Sequence, residues 1–168
     1  QQAGGECNAF TNSDITNFYI TIPVENIEIA FWLESDRMKS LSFSKKALNT
    51  QKKVVIEEFK ETTLNEPYGD VWHHISEMAY KKHPYRWPTI GIDPSHISKV
   101  SIEDIKHFFA HHYCPNNAIM VVSGPVKDQE IRILCHKWFD EIPSGAIPKR
   151  KFEFDIKSKE ERKTIVSN

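Results

Sequence analysis

No apolar run in this 168-residue chain approaches the ~18 residues that a membrane-spanning helix needs. A bilayer-crossing helix is therefore not expected. Charge of one sign is also lacking, because 22 basic and 23 acidic side chains nearly cancel. That balance gives no global field favouring nucleic acid or an anionic membrane. Cysteine is scarce: Cys7, Cys114 and Cys135 form neither a CxxC pair nor the density of a disulfide scaffold. They leave the redox compartment open. The opening Gln1-Gln2-Ala3-Gly4-Gly5 has neither the basic nor the apolar region of a signal peptide, and no initiator Met precedes it. A chain that starts this way reads as a fragment. At 39% hydrophobic content it is long enough for one core and short for two, so the expectation is a single partial domain over residues 1–168.

Hydrophobic period organises the rest. Cys7 to Thr11 and Asn17 to Pro23 flank the polar turn Asn12-Ser13-Asp14 and read as a hairpin. Helical spacing runs from Val24 to Met38 and from about Ser44 to Thr63, where Asn65-Glu66-Pro67 ends it. Asp70 is a candidate cap for a third helix carrying Val71, His74, Ile75 and Met78, and His83 to Pro94 reads as loop. Ser101 and Asp104 suggest a capping box for Ile102 to His112. Ala118 to Val122 reads as a buried strand, and Asp128 to Phe139 as an amphipathic helix with Ile131, Leu134 and Trp138 inward. Pro143-Ser144-Gly145-Ala146 is the one linker candidate, and the tail alternates at Phe152 and Phe154. Strands separated by helix pairs imply an α+β layer structure, a mixed or antiparallel sheet covered by helices.

Three features could carry chemistry. Gly4-Gly5 followed by Glu6 to Thr11 is either a simple turn before a strand or an edge that takes an extended peptide by strand addition. On the helix around Gln51 to Glu61, the 3.6-residue repeat puts Ala47, Gln51, Val54 and Glu58 on one face. If that face is inward, Glu58 needs a metal or a cationic partner; the plainer reading is a surface glutamate with a salt bridge. His107 and His111 stand at i and i+4, a spacing that can bring two imidazoles to one zinc. Phe108 occupies the place where an HExxH motif needs its general base, and His74 to Met78 misses HxxEH at its last residue, so both read as ordinary helix histidines.

Taken in order, Gly5-Glu6-Cys7-Asn8-Ala9-Phe10-Thr11, Val54-Val55-Ile56-Glu57-Glu58, His83-Pro84-Tyr85, Tyr113-Cys114-Pro115-Asn116-Asn117 and Val121-Val122-Ser123-Gly124 resemble the insulinase or pitrilysin family of zinc peptidases, which includes the mitochondrial processing peptidase. The resemblance implies a processing-peptidase-like metallohydrolase domain whose first strand and motif helix are missing. It implies a tail, from about residue 151, leading toward an absent second homologous domain. Glu58 then corresponds to a zinc ligand, Gln51 to the supporting residue that is usually acidic, and Asn8 and Ala9 to the strand that binds substrate backbone. An HxxEH motif would supply the other two ligands and the base, and this chain contains none, so it carries no catalytic residue and is expected to bind zinc only weakly by itself.

The implied parent is a zinc endopeptidase acting on extended peptides or unfolded segments. A noncatalytic structural or partner subunit, and a peptide-binding module, are the alternatives. Implied partners are a peptide substrate and a second homologous domain or subunit, with self-association of the fragment also expected. A periplasmic or envelope location is implied by bacterial relatives alone.

Overall fold

The computed structural model describes residues 2–147, 149, 151–155 and 161–165. The chain divides into two compact units whose segments interleave along the sequence. One comprises Gln1–Thr11, Thr16–Phe43 and Ile102–Pro148; the other comprises Asn12–Ile15, Ser44–Ser101 and Lys149–Asn168.

The first unit holds the hairpin expected from the alternating pattern. Strands β1 (Glu6–Thr11) and β2 (Thr16–Thr21) pair antiparallel, with Asn8 opposite Tyr19 and Ala9 opposite Phe18. Helix α1 (Ile27–Lys39) follows a 3₁₀ turn at Val24–Asn26. β2 is covered on one side, where Phe18 meets Tyr113 edge-on and lies under the Arg37 guanidinium at 4.3 Å. β1 is exposed along all six residues. The helices of this unit therefore cover β2 and leave β1 bare, which is less cover than a fully roofed sheet would have.

Two further helices of this unit match their sequence bounds, the later one running Asp128–Phe139 with Ile131, Leu134 and Trp138 half-buried as expected. That helix packs on α1 through Phe31, 4% exposed, and Phe139, whose rings meet edge-on. At the rim the Glu28 carboxylate accepts from Lys137 Nζ at 2.5 Å and Trp138 Nε1 at 3.2 Å. The Lys137 ammonium holds the Glu28 carboxyl below the ordinary carboxylate range.

Two expectations fail in this unit. Ala118 to Val122 forms no strand, and Ile119 and Val121 are 93% and 84% exposed. A five-residue apolar run is buried only where something packs beside it, and no described residue pairs with this one as a strand. Pro143 to Ala146 is not a free linker either. Asn116 clamps Gly145 through both its amide oxygen and its amide nitrogen, each at 2.9 Å, and a Cβ at Gly145 would come within 2.7 Å of Cys114 Sγ. Only glycine fits this approach to a buried thiol.

The second unit is built on α2 (Lys45–Phe59), capped by Ser44 Oγ accepting from the Ala47 N–H. Its last turn widens into a π-turn at Lys60–Leu64, which the helical periodicity does not announce. The chain then returns through Tyr68, at φ 62°, to Gly69, where a Cβ would stand 2.4 Å from the Thr62 carbonyl oxygen.

Next comes α3 (Val71–Ala79). Asp70 precedes it but caps nothing with its side chain; the carboxylate instead faces His74 Nε2 at 3.1 Å. The stretch expected to be loop, His83 to Pro94, contains a 3₁₀ turn at Pro84–Arg86, and a short helix α4 (Pro94–Lys99) begins at its last residue. Asp93 caps α4, and Pro94 sits where a missing N–H costs nothing. The remaining helices, already placed in the first unit, are α5 (Ile102–His112) and α6 (Asp128–Phe139).

The tail makes no strand at Phe152 and Phe154. Their rings lie against His83, and Asp155 accepts backbone N–H bonds from Lys81, Lys82 and His83 at 2.8–3.2 Å. Residues 156–160 and 166–168, where any onward domain connection would run, lie outside the described residues. No helix among the described residues is long and apolar enough to cross a membrane.

Candidate functional site

Glu58 occupies the last turn of α2, beside Phe59, which is 3% exposed and meets the His73 ring edge-on. Successive helical residues turn by about 100°. Burying Phe59 therefore swings Glu58 outward, and both Glu58 and Gln51 are exposed. This corrects the inward orientation expected for that face. Ala47, Gln51, Val54 and Glu58 do share a stripe, but it is the solvent stripe; Leu48, Lys52, Val55, Ile56 and Phe59 are the covered positions. The physical reason is that apolar residues occur on both neighbouring stripes, and α2 rests on α4, reaching it with Lys52 Nζ bonded to the Ser98 carbonyl at 2.9 Å.

The salt bridge of the plainer reading belongs to the neighbouring residue: Glu57 pairs with Lys60 at 2.7 Å. Among the described residues Glu58 has no ionic partner. Its backbone carbonyl is engaged by the Thr62 hydroxyl at 2.8 Å, tying it to the start of the π-turn. Gln51 lies two turns back, about 10 Å along the axis.

Asn8 and Ala9 lie in the other unit, on the bare strand β1. The Asn8 side-chain oxygen accepts the Ala9 N–H at 2.8 Å, so that backbone donor is satisfied locally. β1 has no second strand neighbour among the described residues.

His73 and His83 are engaged structurally. His73 Nε2 bonds the Gly91 carbonyl at 2.8 Å, which orients its ring edge-on to Phe59; its buried Nδ1 has no partner among the described residues. His83 Nδ1 accepts weakly from the Tyr85 N–H, and Tyr85 gives its hydroxyl to Asp14 at 2.6 Å. That bond to a carboxylate pushes the Tyr85 hydroxyl pKa up. Cys7 is exposed and Cys114 buried, while partial burial raises the Cys135 thiol.

A zinc ion needs three or four converging donors. No group of three His, Cys, Asp or Glu side chains converges among the described residues. Glu58 supplies one oxygen donor, so the residues present do not make a zinc site. The π-turn and the Asp155 tail contact have no counterpart in the sequence reading. The doubled β-branched pair Thr62-Thr63 before Asn-Glu-Pro is the only local hint of the first.

Comparison with known proteins fits this geometry. Residues 1–93 match the family model described as insulinase, peptidase family M16, and residues 99–168 match the one described as peptidase M16 inactive domain. A zinc protease of Helicobacter pylori, PqqE, is 34% identical over 139 residues, covering 83% of this chain and 31% of that protein. The beta subunit of the mitochondrial-processing peptidase of Saccharomyces cerevisiae is 23% identical, covering 88% and 32%. A crystal structure of a Helicobacter pylori protease superposes with a TM-score of 0.85 at 32% identity, covering 90% of this chain and 37% of that one. The chain thus spans about a third of the length of these relatives. With the α+β fold and more than half of its residues matched, the chain belongs to the insulinase family of peptidases, family M16.

Proposed function

We propose that this chain is one portion of a zinc-dependent endopeptidase that cleaves extended peptides or unfolded segments. Within it, Glu58 serves as one metal ligand and β1 as the edge that receives substrate backbone. The observation that carries the reading is Glu58 itself: an exposed carboxylate without an ionic partner among the described residues, held in direction by buried Phe59, inside the segment matched to a peptidase family. Relatives named as zinc proteases support the metal.

An exposed carboxylate is solvated as it stands, so the metal role rests on the family match, whereas a bare strand edge is open to pairing. For β1 the partner is an extended peptide, because backbone pairing is sequence-tolerant and suits many substrates. The Asn8 amide oxygen keeps the Ala9 N–H satisfied until a peptide carbonyl replaces it. The remaining zinc ligands and the base come from an HxxEH motif outside these 168 residues, and a second homologous domain or subunit closes over the peptide. A relative named as a processing-peptidase subunit supports that last element. A noncatalytic homologue is the second reading, favoured by Gln51, where an amide gives weaker charge support than a carboxylate.

Two results test the proposal. The isolated 168-residue chain is expected to show no chelator-sensitive cleavage of an unstructured peptide, and robust chelator-sensitive cleavage would contradict the division of ligands. Reading the codons for the preceding ~50–80 residues, the extent a complete domain of this kind needs, is expected to reveal HxxEH. Its absence would favour the noncatalytic reading.

A further inference from the structure

His107 and His111 lie one helical turn apart on α5, in the unit that does not contain Glu58. Their rings come together, with centroids 4.1 Å apart and planes inclined by 35°. His107 is exposed and His111 half-buried. The His111 Nδ1 lies 2.7 Å from the His107 carbonyl oxygen. A carbonyl can only accept, so Nδ1 carries a proton and Nε2 is the nitrogen left to face a metal. That is the second-partner arrangement by which proteins fix a metal-binding imidazole. Among the described residues neither ring has a carboxylate partner to hold it protonated.

From this geometry we infer a two-histidine surface site for a divalent transition cation, independent of the proposed peptidase centre. The donors are two neutral imidazoles, which suit borderline ions and rank Cu²⁺ above Ni²⁺ and Zn²⁺. Hard cations such as Mg²⁺ and Ca²⁺ prefer oxygen donors and are excluded. Water fills the other positions. Glu103, one turn before His107 on the same stripe, is exposed and within reach to swing in as a third donor. No three such donors converge as the side chains stand. Phe108 fills the position where a zinc hydrolase carries its base, so the site binds metal and does not hydrolyse.

The test is titration of the full 168-residue chain with Ni²⁺ alone, followed by calorimetry and by paramagnetic broadening of amide signals. One Ni²⁺ per chain is expected, with broadening centred on residues 103–112. His107→Gln or His111→Gln singly is expected to weaken binding at least about tenfold, since the remaining imidazole loses a partner held at high effective concentration. Cys7→Ser, which removes the exposed thiol, is expected to leave it unchanged. Absence of saturable binding, binding that survives both histidine changes, or binding lost with Cys7→Ser would each overturn the site. The broadening map uses the unaltered chain, so it decides the matter even if a variant folds poorly.

Discussion

Phe59 and Glu58 show how one buried ring sets the direction of its charged neighbour. Phe59 is the best-buried aromatic of its unit, at 3% exposed, and it fixes the rotation of the last turn of α2. Phe59→Ala is expected to cost about 3–5 kcal/mol, the range for emptying a core site of that size. Urea unfolding would measure it, and a loss under 1 kcal/mol would mean that the ring does not anchor the helix. The sequence showed which residues share the Glu58 face but not which way the face turns. Ala47 and Val54 line one stripe and Leu48 and Val55 the next, so periodicity alone does not choose between them. What decides is α4, and its start at Asp93-Pro94 was hidden in a proline-containing stretch read as loop.

At the level of elements, local patterns sufficed where local forces decide. The hairpin, α1, α5 and α6 follow from alternation, helical period and turn residues, and their bounds agree closely with the sequence reading. Ala118 to Val122 does not, because strand formation needs a partner that no local pattern supplies. The tail is the converse case: side chains hold it, the Phe152 and Phe154 rings against His83 and Asp155 against the backbone. Asp155 accepts the successive N–H groups of Lys81, Lys82 and His83, and the bond from His83 does most to lower its pKa.

A carboxyl with a folded pKa below its ordinary 3.8 stabilises fully above that value and loses the contribution as pH falls through the folded pKa. Amide exchange at residues 81–83 is therefore expected to stay slow from about pH 7 down to about pH 5 and to accelerate below about pH 4, after correction for the intrinsic rate. Asp155→Asn is expected to abolish the acid dependence, which separates Asp155 from Glu153, paired with Lys82 nearby. Persistence of the dependence in that variant would show that another group holds the tail.

For the molecule as a whole, the exposed apolar side chains and the proposed role of Glu58 belong together. Ile119, Val121 and all of β1 stand open, and Glu58, the proposed ligand, has no converging donors among the described residues. Matching about a third of each relative's length, the chain carries recognisable family features without the full set of groups that peptide hydrolysis requires. The ordered motifs identified the family from sequence, and at least one sits where backbone geometry constrains it: Gly5 faces the Thr21 carbonyl, which a Cβ would approach to 2.8 Å. The metal site could not be completed from the sequence, because its other proposed donors are not among these residues. The most direct measurement is zinc content, by metal analysis after dialysis, of a longer protein containing this segment and an HxxEH motif, compared with its Glu58→Gln variant. The account predicts one zinc per chain in the unaltered protein and a clear loss in the variant; unchanged zinc content would remove Glu58 from the site.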